Sequence, residues 1–215
     1  MLTRNGEKNM SNVEKMINEQ KDFKSFAKAY AQYISKLLAE LDLNALGRVA
    51  QELEDTRNNK TTVFIIGNGG SAATASHMVN DLGLGVRAHI EPSLKAISLT
   101  DNVAVLTALA NDVGYEQVFL RQLQLYFRPG DKLLVISASG NSPNLILAAE
   151  WVRKQGGKVI GFLGFDGGKL KNICDVPMII ATPKGEYGPV EDMHMILDHL
   201  IYTWLWGKIR KEAGI

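Results

Sequence analysis

The chain has 215 residues, 46% of them hydrophobic, which is enough to bury a sizeable core as one domain with an appendage. Its formal charge of +1 comes with scattered basic residues, clustered only at Lys208-Ile209-Arg210-Lys211, and so argues against a nucleic-acid footprint. The single Cys174 excludes an internal disulfide framework, residues 1–9 lack a signal-peptide apolar core, and no apolar run reaches transmembrane length. These features predict a cytoplasmic protein with neither a membrane nor a nucleic-acid partner.

From about residue 11 to 57 the periodicity is helical only. Phe23, Phe26, Ala27, Tyr30, Ile34, Leu37, Leu38 and Leu41 recur at three- and four-residue steps and give a long helix a wide apolar stripe. Asp42 or Asn44 is positioned to cap a second helix running through Glu54, and Asn58-Asn59-Lys60 breaks the pattern. β and α segments then alternate. Strands are predicted at 61–66, 94–99, 131–137, 157–163 and 175–181, each nearly continuous in apolar residues as strands covered on both faces require. Helices are predicted near 71–82, 102–110, 114–127, 143–155, 167–173 and 189–211. The pattern specifies an α/β fold: a three-layer, doubly wound, five-stranded parallel sheet with N-terminal helices. Residues 1–58 form the helical region and 59–215 the ligand-binding domain. The apolar stripe is more than an appendage should expose, which predicts subunit contact.

Two loops carry the chemistry. Gly67-Asn68-Gly69-Gly70-Ser71-Ala72 follows the run Val63–Ile66, and Ser137-Ala138-Ser139-Gly140-Asn141-Ser142 follows Leu133–Ile136. A buried strand turning through small residues into a helix aims free backbone N–H groups and the positive helix end at whatever lies above it. Phosphate suits that construction, and the serine and asparagine content suits an attached polyol. Both loops fall at the carboxyl edge of the sheet, where such folds bind ligands. A tight turn without ligand is the plain alternative for either loop. Gly67-x-Gly69-x-x-Ala72 also matches a dinucleotide fingerprint, but Glu91 precedes the second strand and Asp101 comes too late to hold a ribose. No G-K-[ST] follows the glycines, so a P-loop is excluded.

Asn68 through Ala72 followed by His77, Asp101 at a strand end, Ala110-Asn111-Asp112, Ser137 through Ser142, Gly164 through Gly168 and Glu191-Asp192-Met193-His194 together resemble the sugar isomerase (SIS) domain. Within it the chain is most similar to the phosphoheptose isomerases, over nearly everything from about 20 to 207. The resemblance implies a phosphosugar-binding domain over 59–215, a homo-oligomer of tetramer type, and ketose–aldose isomerisation of sedoheptulose 7-phosphate through an enediol-type proton transfer. It implies Ser137, Ser139, Asn141 and Ser142 on the phosphate, Asn68, Gly69, Ser71 and Asp101 on the sugar, and Asp81, Glu191 and His199 around the carbonyl. Zinc or another divalent metal is implied at His77, Asp81, Glu191 and His199.

The metal positions are spaced for one helix face each: His77 and Asp81 stand four apart, Glu191 and His199 eight apart. In the resembled family the four typically read His, Glu, Gln and His, so this chain keeps both histidines and changes the other two. Asp81 draws its carboxylate back by about an ångström, a displacement that can cost about a hundredfold in rate. Glu191 exchanges an amide for a carboxylate, which restores a base or makes a two-His, two-carboxylate set that zinc accepts. Gly85 and Gly188 replace an Arg and an Asp near the sugar, and Arg87 is a candidate substitute from a shifted loop. Asp81 paired with a cation, and Glu191 serving only the helix dipole behind Pro189, are the structural alternatives. His194 reads as packing, His89 as a loop residue and Asp166 as a turn residue and cap. The alternative function is a non-catalytic phosphosugar-binding or protein-interaction SIS protein, of the kind that associates with a replication initiator.

Overall fold

A computed structural model describes residues 10–85 and 92–214. Three helices lead: α1 (Asn12–Glu19), α2 (Phe23–Ala39) and α3 (Leu43–Asn58). Then come β1 (Thr62–Gly67), α4 (Gly70–Val79), a π-helical turn (Asn80–Gly85), β2 (Lys95–Ser98), α5 (Val103–Asp112) and a 3-10 turn (Tyr115–Gln117). α6 (Val118–Tyr126), β3 (Lys132–Ser137), α7 (Pro143–Lys154), β4 (Lys158–Gly164), α8 (Leu170–Ile173), β5 (Val176–Ile180) and α9 (Tyr187–Glu212) complete the chain. The five strands form one parallel sheet in the order β2-β1-β3-β4-β5. The expected α/β class, strand number and N-terminal helices are all present.

Successive strand residues feed opposite faces, and both faces are buried. Val63, Ile65, Leu134, Ile136, Ile160 and Phe162 join one core with α3, α4 and α9. Phe64, Ile66, Leu133, Val135, Val159 and Leu163 join the other with α6 and α7. Two cores on one sheet are the three layers.

Three boundaries differ from expectation. The leading helix is interrupted between Glu19 and Phe23, because Ser11 with Glu14 and Asp22 with Ser25 each form a capping box and start a helix of their own. The helix expected over 71–82 ends at Val79 and continues as the π-helical turn that carries Asp81. The segment 114–127 divides into the 3-10 turn and α6. Residues 1–9, Arg87, His89 and Glu91 lie outside the described residues.

α2 and α3 pack against α9. Tyr30 donates to Asp192 Oδ2 at 2.6 Å and Tyr33 to Glu186 Oε2 at 2.5 Å, and Ile34 packs on the α9 core. Of the α2 stripe, Leu37 is buried within the chain and Phe26, Tyr30, Ile34, Leu38 and Leu41 are partly covered. Phe23 and Ala27 of that stripe stay exposed, as do Leu43 at the start of α3 and Leu200 and Trp204 on α9.

Candidate active site

Both predicted loops lie at the carboxyl ends of neighbouring central strands, β1 and β3. α1, α2, α3 and α5 are each capped by a side chain at their first residue, whereas α4 and α7 are not. The Ser71 and Ala72 N–H groups donate to the Asn68 and Gly69 carbonyls and the Leu145 N–H to Asn144 Oδ1, so what the two helix starts turn to the space above the sheet is chiefly the positive end of each dipole. Gly69 turns into α4 at φ +57°, a conformation that favours glycine.

In the second loop, Ser137 Oγ accepts from the Gly140 N–H at 3.0 Å and Ser139 Oγ from the Asn141 N–H at 3.3 Å. Asn141 donates to the Ser139 carbonyl at 2.7 Å and accepts from the Lys169 N–H at 3.1 Å. A Cβ at Gly140 would stand 2.0 Å from the Gly167 carbonyl oxygen, so this loop rests backbone on backbone against the turn after β4. Ser142 begins α7 with no cap bond of its own. The loop is pre-shaped by its own side chains.

The sugar-binding candidates divide. Asn68 and Asn144 exchange amide hydrogen bonds at 3.0 and 2.8 Å across the two loops, and the Tyr115 hydroxyl donates to Asn68 Oδ1 at 3.0 Å. Asp101 Oδ1 accepts from the Ser76 hydroxyl and from Thr100 Oγ1 at 3.2 Å, which ties the end of β2 to α4. Ser71 is only 4% exposed, so it packs within the first turn of α4. Asn144 and Tyr115 escaped the sequence reading, since neither belongs to a Gly/Ser run.

α4 and α9 run side by side in the same direction. At the lower end Glu191 lies on Gly70, where a Cβ would come within 2.3 Å of Oε2. Two turns on, about 10–12 Å at 1.5 Å per residue, His77 meets His199 with 3.0 Å between their Nε2 atoms. Asp81 Oδ2 is 3.3 Å from His77 Nε2 and 3.8 Å from His199 Nε2. Asp198 Oδ2 is 3.9 Å from His77 Nε2. The four offer one donor atom each, all within 4.8 Å of one another.

Glu191 does not join that quartet. It stands level with Gly70, two turns below the histidines, and Asp198 fills the remaining quarter. The signal for Asp198 was present in the sequence: an acidic residue on the stripe Val190, Met193, Leu197, Ile201 that α9 buries. Asp81 does reach His77, and it does so from the π-helical turn, a device common at functional sites.

The histidines are about half exposed, at 41% and 53%, while Asp198 has no exposure at all. Burial, with the Asp81 carboxylate beside it, pushes the Asp198 carboxyl up to about 7. His194, one turn earlier and equally enclosed, is pushed down to about 4 by burial; the packing role expected of it is the one the structure shows. Gly188 leaves room for the Tyr30 hydroxyl, which lies 3.2 Å from where a Cβ would stand.

Donors about 2.0–2.1 Å from a tetrahedral ion stand about 3.3 Å apart, and the separations of 3.0, 3.3, 3.8 and 3.9 Å given above bracket that edge. Two imidazoles and two carboxylates suit zinc and its divalent neighbours. The residues present fit a metal.

The SIS domain family matches residues 25–164. The phosphoheptose isomerase of Trichlorobacter lovleyi is 40% identical over 178 residues, covering 81% of this chain and 90% of the relative. The solved phosphoheptose isomerase GmhA from Neisseria gonorrhoeae superposes with a TM-score of 0.75 at 27% identity, covering 86% of this chain and 99% of that one. A phosphoheptose isomerase from Francisella tularensis gives 0.74 at 28% identity over 91% of this chain and 98% of its own. The chain belongs to the phosphoheptose isomerase family of SIS-domain proteins.

Proposed function

We propose that the protein isomerises sedoheptulose 7-phosphate or a close phosphosugar between ketose and aldose. The reading is supported by two Gly/Ser loops at the starts of α4 and α7 and by a His/Asp quartet two turns along α4 and α9. A molecule with phosphate at one end and a carbonyl at the other spans such a site. Ser137, Ser139, Asn141 and Ser142 with the start of α7 hold the phosphate. Asn68, Gly69, Ser71 and Asp101 line the path of the hydroxyls, Ser71 through its backbone. Aldose–ketose exchange takes a proton from the carbon beside the carbonyl and returns one to its neighbour. Asp81, beside His199 in the quartet, is the carboxylate placed to carry that proton, and Glu191 at Gly70 lies along the path of the sugar.

Zinc or another divalent ion would be held by His77, Asp81 and His199, and when bound would polarise the carbonyl oxygen. Without an ion, His199 and the Asp81 carboxylate serve as the acid–base pair. Residues 1–58 we assign to assembly. Leu38, Leu41, Leu46, Leu200 and Trp204 line an apolar groove between α2, α3 and α9 with His199 at its rim, and a second copy covering it would also close the site, as in a tetramer. Among the described residues no helix is long and apolar enough to cross a membrane, in keeping with a cytoplasmic enzyme.

Incubation with sedoheptulose 7-phosphate in deuterated water tests the reaction type. Deuterium at the carbon beside the new carbonyl is expected; an aldose product without solvent deuterium points to direct hydride transfer and removes Asp81 and His199 from the proton-transfer role.

A further inference from the structure

We propose that the fourth metal ligand of this chain is Asp198, and that Glu191 is left free of the metal. The inference rests on the metal reading above and deepens it. Asp198 is fully enclosed, yet neither carboxylate oxygen has a hydrogen-bond partner. An isolated carboxylate excluded from water is strongly disfavoured, and either a proton or a cation must compensate it. Three potential ligands already face it, with His77 Nε2 at 3.9 Å and Asp81 and His199 within the same 4.8 Å span. Each of the four brings one donor atom within 4.8 Å of the other three. A divalent ion there would satisfy Asp198 and part the two imidazole nitrogens, now 3.0 Å apart, without moving a helix.

Glu191 is excluded by height and not by chemistry. Its carboxylate lies against Gly70, at the first residue of α4, while His77 is seven residues further along. Seven residues are about 10 Å of helix, more than a glutamate side chain can span. The positive end of α4 holds Glu191 beside the phosphosugar path instead. Asp198 thus neutralises the ion, while Glu191 stays beside the sugar path.

The test uses the full-length protein stripped with a chelator, with zinc alone competing against a chromogenic chelator and cobalt as an absorbing substitute. Asp198→Asn should weaken zinc binding by more than about tenfold, the least that even an outer partner of a ligand contributes, and Glu191→Gln by less than about twofold. The cobalt spectrum should change in Asp198→Asn and persist in Glu191→Gln. Asp198→Leu guards against misfolding, because an apolar side chain suits the site: its melting temperature should stand at or above that of the metal-free parent and should not rise with zinc. Zinc affinity lost in Glu191→Gln and kept in Asp198→Asn, or a parent protein that binds no zinc, overturns the assignment. A protein that shows the Asp198 dependence yet converts no sugar phosphate would refute the isomerase reading and leave the ligand assignment standing.

Discussion

Asp198 and His194 are neighbours on the buried side of α9, and their titrations oppose each other. His194 titrates at about 4 in the fold and 6.5 when exposed, so protonation favours the unfolded chain. Its contribution is fully present above pH 6.5 and is lost as pH falls towards 4. Asp198 goes the other way: at about 7 in the fold against 3.8 unfolded, it costs stability as pH rises between those values. At about 1.4 kcal/mol per pKa unit these amount to about 3 kcal/mol for His194 and about 4 kcal/mol for Asp198. In metal-free protein the two nearly cancel between pH 4 and 7, and single substitutions should unmask them. Urea unfolding of His194→Leu should show stability falling with pH across that window, and Asp198→Leu should show it rising. Parallel slopes in the two variants would mean that these residues are not the titrating groups. At the phosphate loop, Ser139→Ala with Ser142→Ala should abolish calorimetric binding of sugar phosphates; unchanged affinity would place the phosphate elsewhere.

At the scale of elements, α3 is fastened to the sheet by one carboxylate. Lys132 and Lys158 are register partners on β3 and β4, like charges side by side. Glu52 lies between them, 2.6 Å from Lys132 Nζ and 2.5 Å from Lys158 Nζ. Glu52→Ala leaves the nearly buried Lys132 facing another cation and should cost about 2–3 kcal/mol by chemical denaturation, below the range for a fully enclosed pair because Lys158 is half exposed. A loss under about 0.5 kcal/mol, as for a surface pair, would show the triad to be ornamental. Elements of this kind were legible in the sequence to different degrees. The strands were, because apolar runs without alternation leave few choices for their faces. The start of α3 was, through the Asp42 cap. The π-helical turn at Asp81 was not, since hydrophobic spacing cannot tell a five-residue backbone bond from a four-residue one. Nor was the choice of Asp198 over Glu191: both lie on one stripe of α9, and only the height of the facing helix separates them. Asn68 was read as a sugar ligand, while its amide exchange with Asn144 depends on two loops meeting across β1 and β3.

For the molecule as a whole, the surface we assign to assembly is the apolar groove beside His199, to which Leu38 and Leu41 contribute. Replacing Leu200 and Trp204 with Asp should reduce the mass seen by light scattering and lower turnover together, because the same partner would cover the groove and close the site. An unchanged mass would move the interface elsewhere. The central claim, that one continuous site takes a phosphosugar at its loops and rearranges its carbonyl at the other end, is tested most directly by following sedoheptulose 7-phosphate with purified protein by NMR, with zinc and with chelator, beside unphosphorylated sedoheptulose and a panel of ketose and aldose phosphates. The account predicts conversion of a phosphorylated ketose to its aldose and none of the unphosphorylated sugar. No turnover of any sugar phosphate, with or without zinc, would contradict it.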